Sequence, residues 1–125
     1  MEKKILLVDD DIDELEIFVD ALNKLSLNFS CMQALNTEEA IEFLLHSKPD
    51  YIFIDFNMPR TNGLEALKKL KGVYGDENAR YIIYSNFISP ETEKEAIGAG
   101  ALTCMKKPSL TAALTLLLRK IILDN

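Results

Sequence analysis

Four short runs of apolar and β-branched residues recur along the chain: KILLV at 4–8, YIFI at 51–54, YIIYS at 81–85 and LTCMK at 102–106. Each is too short for a helix and dense enough for a strand. FSCMQA at 29–34 is a weaker fifth. Between these runs the apolar residues return every three or four positions: Leu15, Phe18, Val19, Leu22 and Leu25, then Ala40, Ile41, Phe43, Leu44 and Leu45, then Leu64, Leu67 and Leu70. SPETEKEAIGAG, with Pro90 in its first turn, and SLTAALTLLLRKIIL complete the helical patterns, and NTEEA offers Thr37 as the cap of the second. Strand and helix therefore alternate five times. Strands apolar on both sides need cover on both faces, and intervening helices supply the crossovers that parallel pairing requires. The expected fold class is α/β, a doubly wound five-stranded parallel sheet with helices on both faces.

Composition narrows the function. The chain has 125 residues, 48% hydrophobic and 27% charged, which suits one globular domain. No linker, repeat or low-complexity stretch divides it, so the expectation is a single domain over 1–125 without an output domain. A formal charge of −6 and no Lys/Arg-rich block argue against nucleic-acid binding, because phosphates would meet a repulsive field. MEKKILLVDDD is interrupted by acids and followed by no cleavage site, and no apolar run approaches spanning length. A cytoplasmic chain without membrane contact is expected. Cys31 and Cys104 lie far apart with no Cys or His beside them, which suggests neither a zinc site nor a disulfide.

In a sheet of this kind ligands bind outside the carboxyl ends of the strands. The first strand ends in Asp9, Asp10 and Asp11, the third in Asp55, the fourth in Ser85, and the fifth leads into Lys106, Lys107 and Pro108. Clustered carboxylates suit a hard cation such as Mg²⁺. A lysine and a hydroxyl suit a phosphoryl group, and a carboxylate is a competent nucleophile toward phosphorus. Asp55, at the end of an otherwise apolar run, is tolerable there if a metal and a lysine stand beside it. Taken singly, DDDIDE reads as a solvated helix start, Ser85 as a loop hydroxyl and KKP as a turn. Their combination, each at a strand end and in order, favours phosphoryl chemistry.

The pieces ILLVDDD (5–11), FIDFNMPRTNGLE (53–65), IIYSN (82–86), GAGA (98–101) and KKP (106–108) resemble the receiver (phosphoacceptor) domain of bacterial two-component response regulators, including the single-domain type. The resemblance spans almost the whole chain and implies a flavodoxin-like fold. It implies Asp55 as the phosphorylated residue, and Mg²⁺ held by Asp10, Asp55 and the backbone carbonyl of Asn57, with Asp9 acting through water. Lys107 would pair with phosphoryl oxygens and precede a cis Pro108, Ser85 would be the switch hydroxyl, and Asp11 would cap the first helix. The donor would be a histidine kinase or a histidine phosphotransfer protein, since the lone His46 reads as a surface residue. The chain would catalyse only its own phosphorylation and dephosphorylation and would signal by phosphorylation-dependent protein contacts. Two positions depart from the family: Cys104 stands where an aromatic switch residue is usual, and Asn86 where a small residue is usual.

Other readings fare worse. A haloacid-dehalogenase-type phosphatase needs a second acid where this chain has Asn57. GAGA follows a helix and precedes a strand, the reverse of a dinucleotide-binding turn. The remaining alternative is a receiver-like interaction module, or a phosphate sink. In the last helix Leu110, Leu114, Leu117, Leu118 and Ile121 form an expected core stripe, leaving Ala112, Leu116 and Leu123 opposite, beside Arg119 and Lys120. Leu116 and Leu123, with Cys104, are therefore the expected surface for a downstream partner or a homodimer.

Overall fold

The structure is a computed structural model and describes residues 2–75 and 77–124. Strands and helices alternate throughout: β1 Lys3–Val8, α1 Glu14–Leu22, β2 Phe29–Ala34, α2 Thr37–Leu44, β3 Tyr51–Asp55, α3 Gly63–Tyr74, β4 Arg80–Ser85, α4 Pro90–Gly98, β5 Thr103–Lys106 and α5 Thr111–Ile122. The strands form one parallel sheet in the order β2-β1-β3-β4-β5, the flavodoxin-like order. The expected doubly wound α/β class is what the chain adopts. Because β2 and β3 lie on opposite sides of β1, the chain reverses its winding there and opens a crevice above the carboxyl ends of β1 and β3.

Side-chain alternation along the strands builds two cores. Ile5, Leu7, Tyr51, Phe53, Ile82, Tyr84 and Met105 pack against Phe18, Ala21 and Leu22 of α1 and Leu114, Leu118 and Ile121 of α5. Phe18 is the hub, meeting Phe53 edge-on at 5.2 Å and Tyr84 at 5.0 Å between ring centroids. On the other face Leu6, Val8, Ile52, Ile54, Tyr81 and Ile83 pack against α2, α3 and α4 through Ala40, Leu44, Ala66, Leu67, Leu70 and Ala96. All five residues of β3, including Asp55, are buried, as a central parallel strand requires.

Three helix starts differ from the sequence expectation. The α2 cap is Asn36, whose side chain accepts from the Glu39 amide at 2.8 Å; Thr37 is already inside the helix, and its buried hydroxyl has no partner. Asp11 does not cap α1: its carboxylate accepts from the Asp13 amide at 3.0 Å, upstream of the helix, which begins at Glu14. Leu110 is not on the core stripe. It precedes α5 in extended conformation and is 69% exposed, because the helix starts one residue later. Pro90 does occupy the first turn of α4, after Ser89 as cap.

Candidate functional site

The crevice brings together the strand ends that the sequence singled out. Backbone pairing along β1 and β3 carries Asp9 and Asp55 to adjacent positions, and both are buried. Asp10, one residue beyond, is exposed. Carboxylate oxygens of Asp9, Asp10 and Asp55 all lie within 4.8 Å of one another.

Lys107 enters from beyond β5, fixed by its own amide donating to the Ser85 carbonyl at 2.7 Å. Its ammonium stands 3.0 Å from Asp9 Oδ2 and 3.7 Å from Asp55 Oδ1, and lies 5.0 Å from the centroid of the Tyr84 ring. No cis peptide bond occurs among the described residues, so the Lys107–Pro108 bond is trans and the expected cis Pro108 is corrected. Trans is the lower-energy form of such a bond unless the surroundings impose the other.

The remaining residues tie the loops. Ser85 is fully buried; its hydroxyl donates to the Phe87 carbonyl at 3.2 Å and accepts from Asn57 Nδ2 at 2.8 Å. The Asn57 amide donates to Asp55 Oδ1 at 3.2 Å. The β3–α3 loop then folds back on the strand end. Gly63 permits this approach, since a Cβ there would lie 2.7 Å from the Phe56 Cα. Asn62 caps α3 by accepting from the Glu65 amide at 2.9 Å.

Three participants were not singled out in the sequence. Glu14, buried in the first turn of α1, places Oε1 3.7 Å from the Lys107 ammonium and accepts from the Tyr84 hydroxyl through Oε2 at 3.3 Å. The signal was there: Glu14 shares the stripe of Phe18, Ala21, Leu22 and Leu25, where an acid needs a buried partner. Gln33 on β2 holds the acidic loop by donating to the carbonyls of Asp9 at 2.8 Å and Asp11 at 2.7 Å. Tyr84 supplies both a ring under Lys107 and a hydroxyl to Glu14.

Charge is unbalanced here. Burial, then the neighbouring negative charge of Asp9, pushes the Asp55 carboxyl up to about 6, with Lys107 pulling the other way. Burial likewise raises Glu14, partly offset by Lys107. For Lys107 burial disfavours the ammonium, but the hydrogen bond to Asp9 and the charges of Asp9, Asp55 and Glu14 outweigh it and raise its pKa. One lysine serves three carboxylates, and Asp10 adds a fourth nearby. An all-oxygen set with excess negative charge fits a hard divalent cation such as Mg²⁺.

The family description "response regulator receiver domain" matches residues 5–119. The chain belongs to this family. It is 32% identical over 108 residues to sporulation initiation phosphotransferase F of Bacillus subtilis, covering 86% of this chain and 84% of that protein. To chemotaxis protein CheY of Thermotoga maritima it is 33% identical over 108 residues, covering 86% and 88%. A solved response regulator from Thermotoga maritima superposes with a TM-score of 0.82 over 98% of each chain at 22% identity, a likeness of fold. As a receiver domain the chain has a phosphoacceptor role in two-component signalling, and receiver domains generally bind Mg²⁺ at such an acidic pocket.

Of the expected interaction surface, Leu116 and Leu123 are exposed, at 62% and 45%. Cys104 is half-buried on β5 with its thiol pushed up to about 11 by burial and then by Glu93, and Asn86 is exposed. His46 is on the surface, 3.9 Å from Glu42. No helix among the described residues is long and apolar enough to cross a membrane.

Proposed function

We propose that Asp55 is the phosphoacceptor and that the receiver domain catalyses only its own phosphorylation and dephosphorylation. An Asp55 carboxylate oxygen attacks the phosphorus of a phosphohistidine on a histidine kinase or histidine phosphotransfer protein. The P–N bond breaks, its electron pair stays with the imidazole, which takes up a proton, and an acyl phosphate forms on Asp55. Lys107 pairs with a phosphoryl oxygen and stabilises charge that would otherwise face Asp9. Asp10, Asp55 and the Asn57 carbonyl would hold Mg²⁺, with Asp9 acting through water, and the cation supplies charge neutralisation for the phosphoryl oxygens. Water attack on phosphorus later breaks the O–P bond and returns the carboxylate and inorganic phosphate.

The observation that carries this reading is Lys107 set between Asp9 and Asp55, at 3.0 and 3.7 Å, above an acidic trio. Incubation with acetyl phosphate and Mg²⁺ tests it by mass spectrometry. The expected result is a gain of one phosphoryl group, mapped to Asp55 and absent from Asp55→Asn; incorporation elsewhere, or none, rejects the assignment.

Ser85 is the switch hydroxyl in this reading: it exchanges its bonds to Asn57 and Phe87 for the phosphoryl group and so moves the β4–α4 loop. Cys104 has no ring to swing, so the signal passes through this loop and α4. Output goes to a downstream protein or a second copy over Leu116 and Leu123. The double variant Leu116→Glu, Leu123→Glu is expected to keep fold and phosphorylation while losing the association, read by sedimentation or pull-down with phosphorylated protein; unchanged association removes that surface from the account.

A further inference from the structure

Glu14 has no place in the chemistry above, yet it is built into the site. Its two oxygens are divided between Lys107, at 3.7 Å, and the Tyr84 hydroxyl, at 3.3 Å. It is 8% exposed. A solvated acid in a first helical turn would swing into water; this one is pinned by a buried phenol at the end of β4. Through Lys107 it shares a single cation with Asp9 and Asp55, from a different element than either. Lys107 sits over the Tyr84 ring, so phenol, acid and ammonium form one packed unit. Glu14 and Lys107 also line one crevice between α1 and the segment following β5, with Asp11, Ile17, Pro108 and Leu110 around it.

We propose that Glu14 is a positioning residue that acts as an internal counter-ion, competing with the phosphoryl group for Lys107 and so weakening the hold of the site on a phosphoryl anion. The inference rests on the reading of Asp55 as phosphoacceptor and deepens it. An arriving phosphoryl group must draw Lys107 toward Asp55 against the attraction of Glu14, and meets a further nearby negative charge. The Tyr84 hydroxyl keeps Glu14 from yielding. Removing the charge while keeping an acceptor for Tyr84 therefore frees the lysine without emptying the space.

The probe is beryllofluoride, a phosphoryl mimic, titrated with saturating Mg²⁺ and followed by amide NMR shifts. Glu14→Gln is expected to bind it about 3- to 10-fold more tightly than the wild type, the effect of one partly screened charge at close range. Glu14→Met, which also drops the acceptor, is the second variant should Gln disturb the loop, with tightening expected in the same direction. In the Lys107→Met background the benefit of Glu14→Gln should fall below about twofold, because the competition runs through the lysine. Unchanged or weaker affinity, or equal tightening without the lysine, overturns the proposal. Failure of the wild type to bind beryllofluoride, or unimpaired binding by Asp55→Asn, instead overturns the reading of Asp55 and takes this inference with it.

Discussion

The two ends of the sheet are built from similar materials and left in different electrostatic states. At the amino end several polar groups are hydrogen-bonded to neutral backbone groups. The Tyr51 hydroxyl donates to the Ile122 carbonyl at 3.3 Å, Tyr74 to Pro49 at 3.0 Å and Tyr81 to Gly75 at 2.8 Å. Asp50 accepts from the Lys4 amide at 2.9 Å and its own amide donates to the Lys4 carbonyl at 2.7 Å. At the carboxyl end Asp9, Glu14 and Asp55 converge on Lys107, and the Asp55 carboxyl is raised to about 6. The amino end is closed by satisfied hydrogen bonds; the carboxyl end awaits positive charge.

Deleting the lysine should break this contrast most severely. Lys107→Ala leaves the carboxylates facing one another, and the expected loss in metal-free urea unfolding is about 3 kcal/mol, the cost of stripping one partner from a buried pair. Saturating Mg²⁺ should recover much of it. A loss below about 1 kcal/mol, or one that Mg²⁺ does not touch, would mean that the site is balanced without the lysine.

The amino end should respond locally and modestly. Tyr81→Phe removes the hydroxyl that reaches Gly75 and should cost about 1 kcal/mol in the same unfolding experiment, with Mg²⁺ affinity unchanged within error. A shift in Mg²⁺ affinity would show that the two ends are coupled and blur the distinction.

The same contrast explains how much was legible in the sequence. Strands β1, β3 and β4 declare themselves because a central parallel strand is apolar on both faces, and β2, at an edge, reads more weakly for the same reason. Asp9, Asp55, Ser85 and Lys107 were legible because parallel strands deliver their last residues to one edge, so position in the chain maps onto position in space. Glu14 escaped because DDDIDE reads as a run of solvated acids, and only its register with Phe18 and Leu22 separates it from its neighbours. The clasp from Asn57 to Ser85, and that from Gln33 to the acidic loop, join residues far apart in sequence through side-chain amides, which leave no periodic trace. Leu110 was misplaced because an apolar residue just before a helix continues the wheel on paper but not in space. Asn36 rather than Thr37 caps α2 because two adjacent residues both had capping chemistry.

The most direct measurement is calorimetric titration of the wild type with Mg²⁺ from pH 5 to pH 8. Asp55 carries a raised pKa, so below about 6 it holds a proton that must leave before its carboxylate can meet the cation. Affinity should therefore rise about tenfold between pH 5 and pH 7 and then level off, with proton release near pH 6. Asp55→Asn should bind weakly and lose this pH dependence, while Asp10→Asn should weaken binding and retain it. Wild-type affinity constant from pH 5 to pH 7, or an Asp55→Asn variant with the same affinity as the wild type, would contradict the claim that the carboxyl end of the sheet is an uncompensated charge cluster completed by a cation at Asp55.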